Sequence, residues 1–545
     1  MYPLRWITSR KLHASLLLLL MIVPASRLRA QQALKPRLQA APEWFDPAGV
    51  GGSLLLCNGD APEKARQLFR ELAGGDKANV VLLSTTPDAS IKAALEKLAA
   101  ELRAQNAGTV SLLLCPDRKT ADGADFVTPL RKATGVWLDD LAPDQLAETF
   151  QGTLVEKQLG DLLRDGKVIG ANGAGAALLA QRVVTGSGKT RAGCNLLPGT
   201  FLDLLENGSG KKQRQEKRLP SMPGLFGISI EPGAALVVRG RQMNVLGDGK
   251  VIVRLAADKT RNPRSVELTD GRGADYTALR RMARNRDFEH YPPREPGAPV
   301  VPNGSLVIIG GGVAPADVMH KFIELAGGPD GLIVVLPTAQ PDPVPVTADV
   351  RFLESYGARN IKVLPGRKRS EVECPEYLDA LRQARAIWFG GGRQWRFVDA
   401  YEGTKAYELI HNVLRRGGAI GGSSAGATIQ GDYLCRGSPL GNEDIVFEGY
   451  ERGFRFLPGV AIDQHFSQRK RHADMTALMK TYPQFLGIGL DESTAIVVRG
   501  SVAEVMGRGK AHFYDRNRPA VENQPDYEAL SAGSRYDLKA RKVLA

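Results

Sequence analysis

Cysteine is scarce in this chain, and the few cysteines form no recognisable motif. Five occur among 545 residues, namely Cys57, Cys115, Cys194, Cys374 and Cys435. An odd number of scattered cysteines without a C-x-x-C pair predicts neither a disulfide framework nor a zinc site. We therefore expect a protein that works without a bound metal or cofactor and whose length allows large hydrophobic cores.

Long apolar runs are also rare. The run ASLLLLLMIVPA at 14–25 follows Arg5, Arg10 and Lys11 and is shorter than the roughly 20 residues that a membrane-spanning helix needs. Residues 1–30 are predicted to be a signal peptide with cleavage after Ala30, which makes the protein secreted or periplasmic. A retained N-terminal anchor is the alternative, because Leu28 is large for a cleavage-site residue. No later run is long and apolar enough to predict a membrane span.

The basic residues lack the clustering that is typical of nucleic-acid binding. The formal net charge is +13, but lysines and arginines are interspersed with acids and no nucleic-acid motif is found. The densest run, KKQRQEKR at 211–218, is typical of a solvated loop. No nucleic-acid partner is expected.

The sequence contains an internal duplication, which is the signature to look for before elements are assigned. ELAGG occurs at 71–75 and again at 324–328. KVIGANGAGAALLAQ at 167–181 resembles GAIGGSSAGATIQGD at 418–432. GISIEPGAALVVRG at 227–240 resembles GIGLDESTAIVVRG at 487–500. Two homologous domains are predicted, at 45–270 and 304–545. They are joined by a linker at 271–303, which includes a proline-rich stretch.

Each half alternates short β-branched runs with amphipathic helical patterns. The predicted strands of the second half are 305–311, 332–338, 360–365, 386–391 and 419–422. This alternation predicts an α/β fold, with a mostly parallel sheet flanked by helices in each half. Ligands bind such sheets at the carboxyl ends of the strands, so the turns after these strands are candidate site positions.

One such turn carries a candidate nucleophile. Within AIGGSSAGATIQ at 419–430, Gly422, Ser424 and Gly426 fit the G-x-S-x-G pattern of a strained strand-to-helix turn that exposes a serine hydroxyl. Taken alone, the pattern fits a glycine-rich turn without chemistry equally well.

The two copies differ at the positions that would carry chemistry. The second half has Ser424, His465 and Glu492 where the first half has Gly173, Leu205 and Pro232. In addition, no histidine occurs between His13 and His290, so the first half has no imidazole base of its own. The first half is therefore predicted to be a degenerate, catalytically inactive copy.

The three residues of the second half suit nucleophilic catalysis. A serine hydroxyl needs a base, and an imidazole in turn needs an acceptor, here Glu492 or its neighbour Asp491. Predicted oxyanion-hole donors are the backbone amides of Ala425 and of Gly391 or Gly392. The competing histidines have weaker claims: His320 and His411 fit packed or surface helical positions, His472 a supporting position, and His512 a strand.

These motifs carry a family resemblance. GGSSAGA, AIDQHFSQRKR and GLDESTAIVV resemble the cyanophycinase family of serine exopeptidases, which includes α-aspartyl dipeptidases and has the flavodoxin-like fold of class I glutamine amidotransferases. The resemblance implies that Ser424 is the nucleophile, His465 the base and Glu492 the third member. It also implies a set of substrate-binding residues, to which we add Ser423 beside the nucleophile: Gln394, Asp463, Gln464, Arg469 and Arg471.

Two positions depart from the family pattern. Arg393 replaces an aspartate in the turn before Gln394, and Asp474 stands where a third arginine would fall. An acid cannot hold a substrate carboxylate as an arginine does. We expect Arg393 to supply a carboxylate contact instead, and the reaction is indicated more firmly than the substrate.

The sequence thus predicts a serine peptidase that cleaves an aspartyl-containing peptide or a cyanophycin-like (β-Asp-Arg) polymer through an acyl-enzyme. The alternative is a non-catalytic binding protein built on the duplicated fold, and a glutaminase is disfavoured because those enzymes use cysteine. The first half is expected to act in stability, pairing or substrate presentation. Association as a homodimer and intramolecular pairing of the two halves are both compatible with the duplication.

Overall fold

The computed structural model describes residues 46–86, 88–140, 143–184, 189–204, 217–287, 291–341, 348–517 and 524–545. The predicted signal peptide, His13, Leu205, most of the basic run at 211–218 and His290 lie outside these described residues. Within them, no helix combines the length and the apolar character needed to cross a membrane.

The first half is built from two sheets. Its strands are β1 Val50–Cys57, β2 Asn79–Ser84, β3 Thr109–Leu114, β4 Gly135–Asp140, β5 Val168–Gly173, β6 Ala180–Val184, β7 Thr190–Ala192, β8 Leu197–Leu204, β9 Phe226–Ile230, β10 Ala234–Gly240, β11 Gln242–Gly247, β12 Val251–Leu255, β13 Arg264–Leu268 and β14 Gly273–Asp275. Its helices are α1 Glu63–Leu72, α2 Ala89–Ala104, α3 Arg118–Ala121, α4 Thr128–Lys132, α5 Pro143–Phe150, α6 Leu154–Arg164, α7 Ala174–Leu178 and α8 Tyr276–Asp287. β14 and α8 lie within the stretch predicted as a linker at 271–303, and because β14 pairs with β11, we count residues up to 287 with the first half.

The second half repeats this plan. Its strands are β15 Val301–Ile309, β16 Ile333–Leu336, β17 Ile361–Val363, β18 Ala386–Phe389, β19 Ala419–Ser423, β20 Gly431–Leu434, β21 Leu457–Gln464, β22 Leu486–Leu490, β23 Thr494–Gly500, β24 Val502–Gly507, β25 Lys510–Asp515, β26 Glu528–Ser531, β27 Arg535–Asp537 and β28 Lys542–Leu544. Its helices are α9 Ala316–Leu325, α10 Ala348–Ser355, α11 Arg369–Val372, α12 Pro375–Gln383, α13 Trp395–Tyr401, α14 Lys405–Arg415, α15 Ala425–Thr428 and α16 His472–Thr481.

The larger sheets of the two halves have the same strand order, except that the second has one additional edge strand, β28. The first is β14-β11-β10-β1-β5-β4-β2-β3, and the second is β28-β27-β24-β23-β15-β19-β18-β16-β17. In each, five parallel strands continue into an antiparallel extension. The predicted α/β fold class is confirmed, as are the five strands expected in the second half. The smaller sheets, β13-β12-β9-β8-β6-β7 and β26-β25-β22-β21-β20, were not predicted.

Equivalent cores explain one glycine that both copies keep. Gly170 in β5 lies against Trp137, and Gly421 in β19 lies against Trp388 and Phe322. A Cβ atom on either glycine would come within 2.5 Å of an aromatic ring carbon. Because cores are close-packed, both halves retain this glycine for packing, whatever their chemistry.

Strand register brings five turns together at one end of the second half. In the larger sheet, Ile309 pairs with Ser423 and Phe389 pairs with Gly422, so the turns after β15, β18 and β19 are neighbours. In the smaller sheet, Gln464 pairs with Leu490, so the residues that follow β21 and β22 also lie side by side. The amide of His465 donates to the carbonyl of Gly310 at 2.7 Å and joins the two groups.

Candidate active site

The turn from β19 into α15 holds Ser424 in a strained conformation. Its φ is +57° and its ψ is −113°, and its amide donates to the Ile309 carbonyl at 3.2 Å. Gly173 has nearly the same backbone angles in the first half, φ +54° and ψ −129°. The first half thus keeps the turn without a hydroxyl, while a serine in the second half accepts backbone strain of the kind that clusters at functional sites.

Ser424, His465 and Glu492 form a continuous chain of hydrogen bonds. Ser424 Oγ lies 3.0 Å from His465 Nε2, and His465 Nδ1 lies 2.6 Å from Glu492 Oε1. With its Nδ1–H donated to Glu492, the neutral imidazole leaves Nε2 free to accept the serine proton. The structure therefore brings together the three residues predicted to be the nucleophile, the base and the orienting carboxylate.

Asp491, the other acid considered, has a different role. Its carboxylate is buried and accepts hydrogen bonds from the amides of Ser467 and Lys510, both at 3.1 Å, and lies 3.2 Å from His512 Nε2. Burial opposes its ionisation, yet the bonds from His512 and Ser467 lower its pKa to about 2. Asp491 thus fixes the loop after His465 against β25, which contains Lys510 and His512.

The environment of His465 favours the neutral base. Burial lowers the pKa of His465 below its ordinary value, and the hydrogen bond to Glu492 offsets part of this effect. Since only the neutral imidazole can accept the serine proton, the site is set up to work at neutral pH and somewhat below.

This electrostatic setting predicts the acid limb of the pH–rate profile. The kcat/KM should fall as the pH decreases through a pKa below 6.5, because protonation of His465 removes the base. The measurement is kcat/KM against pH from about 4 to 9, which reports the ionisation of the free enzyme. An acid limb above 6.5 would contradict the assignment of a buried, desolvated base.

A glycine run after β15 packs against the base and the acid. A Cβ built on Gly311, whose φ is +106°, would lie 2.3 to 2.7 Å from three ring atoms of His465. A Cβ built on Gly312 would lie 2.9 Å from the Cβ of Glu492. These residues support the site and were missed by sequence reasoning, although a run of three glycines after a strand was visible.

The duplication provides a matched test of this contact. Gly311→Ala should lower kcat by about 100-fold, since the added methyl displaces the imidazole by around an ångström. Gly59 follows β1 at the equivalent position with φ +75°, but the nearest atom to its built Cβ is Pro232 Cβ at 3.9 Å. Gly59→Ala should therefore carry similar backbone strain and leave kcat unchanged. Equal losses of activity in both variants would show that strain, and not the His465 contact, is responsible.

The predicted oxyanion-hole residues lie beside the nucleophile. A Cβ built on Gly391 would lie 3.6 Å from Ser424 Cβ, and Gly392 has a φ of +134°. Ala425 directly follows Ser424 and begins α15. Ser423 ends β19 and is partly exposed, and Gln464 Oε1 lies 3.5 Å from Ser424 Oγ.

A charged cavity of about 400 Å³ adjoins this centre. It is lined by Arg436, Asn442, Glu443, Arg469, Arg471 and Asp474. Arg471 Nη1 donates to the Gln464 carbonyl at 2.7 Å, and the Arg469 amide donates to the His465 carbonyl at 3.0 Å. The cavity walls are therefore continuous with the residues around the base.

A buried ionic network stands behind the cavity. Asp463 is fully buried and accepts from Arg436 Nε at 3.0 Å and from Arg471 Nη1 at 2.9 Å. Arg436, itself 2% exposed, also donates to Asp474 Oδ2 at 2.7 Å. Arg436 thus compensates the negative charge of Asp474, the acid that stands where a third arginine was expected. The sequence analysis did not identify Arg436 as a site residue.

The remaining predicted binding residues hold a neighbouring loop. Gln394 is buried, and its Nε2 donates to the carbonyls of Cys435 and Arg436 at 2.8 and 2.6 Å. Arg393 is partly buried and donates to the carbonyls of Ser438, at 2.7 Å, and Gly441. In this structure the side-chain nitrogens of both residues engage main-chain oxygens, and their substrate contacts stay a prediction, as do those of Asp463.

Comparison with known proteins finds relatives for the second half. Residues 306–506 match the model of peptidase family S51. The cyanophycinase of Geminocystis herdmanii (strain PCC 6308) is 29% identical over 262 residues, covering 44% of this chain and 96% of that protein. The cyanophycinase of Trichormus variabilis (strain ATCC 29413 / PCC 7937) is 28% identical over 262 residues, covering 44% and 87%.

Two solved peptidase structures are also similar to part of this chain. A peptidase from an acI-B1 actinobacterium is 24% identical, with a TM-score of 0.35, and covers 43% of this chain and 97% of its own. A putative peptidase E protein from Listeria monocytogenes EGD-e is 19% identical, with a TM-score of 0.30, and covers 38% and 99%.

Proposed function

We propose that residues 306–506, which match the model of peptidase family S51, hydrolyse aspartyl-containing peptide bonds through an acyl-enzyme on Ser424. The second half is a serine-type peptide hydrolase, as the family match and the cyanophycinase relatives indicate. The observation that carries the proposed mechanism is the hydrogen-bond chain from Ser424 Oγ through His465 to Glu492. We also propose that the protein is exported, and this part of the proposal is supported by the N-terminal sequence alone.

The mechanism follows from this chain of contacts. Ser424 Oγ attacks the carbonyl carbon while His465 Nε2 takes its proton, and Glu492 stabilises the imidazolium that forms. The backbone amides of Ala425 and of Gly391 or Gly392 would donate to the developing oxyanion. His465 then gives its proton to the leaving amine as the C–N bond breaks, and water hydrolyses the acyl-enzyme with the same base.

The cavity charges support a substrate that carries both signs. Arg469 is exposed, and its guanidinium has no hydrogen bond or ion pair with any residue that the structure describes. Glu443 is exposed on the same cavity, and the Asp474 side chain is 45% exposed. Arg469 suits a substrate carboxylate, and Glu443 suits a guanidinium or ammonium group, whereas the charge of Asp474 is already compensated by Arg436. A cyanophycin-like polymer of β-Asp-Arg units offers both.

A substrate panel tests this choice. Cyanophycin, a soluble oligomer of β-Asp-Arg units, an α-aspartyl dipeptide and an uncharged dipeptide would be incubated with the mature protein, and amine release followed. We expect the highest kcat/KM for the β-Asp-Arg substrates. Preferential cleavage of the uncharged dipeptide would contradict the proposed substrate class, and no cleavage of any member by folded protein would favour the binding-protein alternative.

A further inference from the structure

One long loop connects the charged cavity to the first half of the chain. The connection between β20 and β21, residues 435–456, will be called the bridging loop. Its residues 436–443 contribute Arg436, Asn442 and Glu443 to the cavity wall. Its residues 447–451 face α8 and neighbouring segments of the first half, as their contacts show.

The cavity end of the bridging loop is held from within the second half. Arg436 Nη1 donates to the carbonyls of Asn442, at 3.2 Å, and Glu443, while its amide donates to the Ile445 carbonyl at 2.9 Å. Gln394 and Arg393 bind four further carbonyls of the same stretch. The positions of Asn442 and Glu443 therefore follow the position of the loop backbone.

The other end is held by arginines of the first half. Glu448 accepts from Arg286 Nε at 2.6 Å, from Arg286 Nη2 at 3.0 Å and from Arg261 Nη1 at 3.1 Å. The Glu448 side chain is 14% exposed and that of Arg286 is 2% exposed, so water screens this pair poorly. Because the pair is bidentate, it fixes the orientation of the Glu448 carboxylate relative to the Arg286 guanidinium as well as the distance between them.

Contacts around Tyr450 reinforce this end. Its hydroxyl donates to Asp399 at 3.0 Å and accepts from Arg241 Nη2 at 2.9 Å, with Arg241 contributed by the first half. Arg281 of α8 donates to Asp399 at 2.9 Å and to Glu402 at 2.6 Å. Burial would raise the pKa of Glu402, but Arg281 and Arg284 lower it to about 2, so this carboxylate is held ionised against α8.

We propose that the first half positions the substrate wall of the active site, with Arg286 and Arg261 acting as positioning residues through Glu448 of the bridging loop. This inference rests on the proposed function of the second half. The predicted inactive copy is then retained because its arginines fix a loop that the catalytic half needs for substrate binding. Loss of the contacts between Glu448 and the two arginines should weaken substrate binding and leave the Ser424–His465–Glu492 geometry intact.

The test uses the full chain and the isosteric variant Glu448→Gln. It removes the charge that both arginines bind and touches no residue of the cavity or the hydrogen-bond chain. The matched control is Asp330→Asn, which weakens another bidentate pair, with Arg359 at 2.9 and 2.7 Å, that is exposed and lies within the second half. Steady-state kinetics with the β-Asp-Arg oligomer, the rate of Ser424 labelling by a fluorophosphonate and hydrogen exchange of residues 436–451 would be measured for each protein.

For Glu448→Gln we expect KM to rise about three- to tenfold, with kcat and the labelling rate within about twofold of the unmodified protein. Amide exchange should become faster in residues 436–451, and Asp330→Asn should change none of these quantities. Unchanged KM and unchanged exchange would overturn the proposal, as would a fall in labelling rate that matches the change in KM. Hydrogen exchange does not depend on catalysis. If Glu448→Gln exchanges faster but neither protein is labelled at Ser424, the proposed function is contradicted, while the positioning of the bridging loop by Arg286 and Arg261 is still supported.

Discussion

Replacement of Ser424, His465 or both by alanine is expected to lower kcat/KM for the proposed substrate by at least about 1,000-fold. The three variants should lose nearly the same factor, because an unactivated serine and an imidazole without a nucleophile are both ineffective. The physical reason is the 3.0 Å contact between Ser424 Oγ and His465 Nε2, through which a single proton transfer requires both groups. The measurement is kcat/KM for the single and double variants.

The control for this experiment is His320→Ala. His320 is an exposed histidine on α9 of the same half, and it should leave kcat/KM unchanged. Strictly additive losses, in which the double variant multiplies the two single effects, would contradict a shared proton transfer between Ser424 and His465.

The largest expected effect on stability belongs to Arg436. Arg436→Met should lower the free energy of unfolding by about 3 kcal/mol, because it leaves the fully buried Asp463 carboxylate with fewer compensating charges. Arg471 remains as a partner of Asp463 at 2.9 Å, which places the loss at the lower end of the range for broken buried pairs. Urea denaturation would measure the change, with an unchanged m-value as evidence that the transition is comparable.

Two further variants sharpen this prediction. Arg359→Met breaks the exposed pair with Asp330 and should cause little or no measurable change. Adding Asp463→Asn to Arg436→Met should recover part of the lost stability, because it removes the buried charge itself. A double variant less stable than Arg436→Met would show that Asp463 is not the source of the loss.

The three residues of the hydrogen-bond chain could be identified from the sequence because each follows a recognisable strand and differs between the copies. The turn after β19, the end of β21 and the residues after β22 carry short local patterns, and parallel pairing then brings strand ends together. The sequence motifs alone left open whether Glu492 or Asp491 contacts the imidazole. The two acids are adjacent on one turn, and only the directions of their side chains distinguish them. The structure places one carboxylate on His465 and the other on His512.

Arg436 and the bridging loop show what the sequence could not supply. Arg436 is a lone arginine after a short strand, with no periodic or motif context, and its partners Asp463 and Asp474 are 27 and 38 residues away. Glu448 and Arg286 are 162 residues apart. Pairing over such separations is decided by how the halves pack, which no local pattern encodes. The smaller sheets were missed for a related reason, because some of their strand pairs, such as β20 with β21 and β21 with β22, are separated by long connections.

Covalent labelling can show whether Ser424 is an activated nucleophile. The protein would be treated with a fluorophosphonate and the adduct located by peptide mass mapping, with Ser424→Ala and His465→Ala treated in parallel. We expect a single adduct on Ser424 that is absent from both variants. An adduct on another serine, or a Ser424 adduct that forms equally fast without His465, would contradict it.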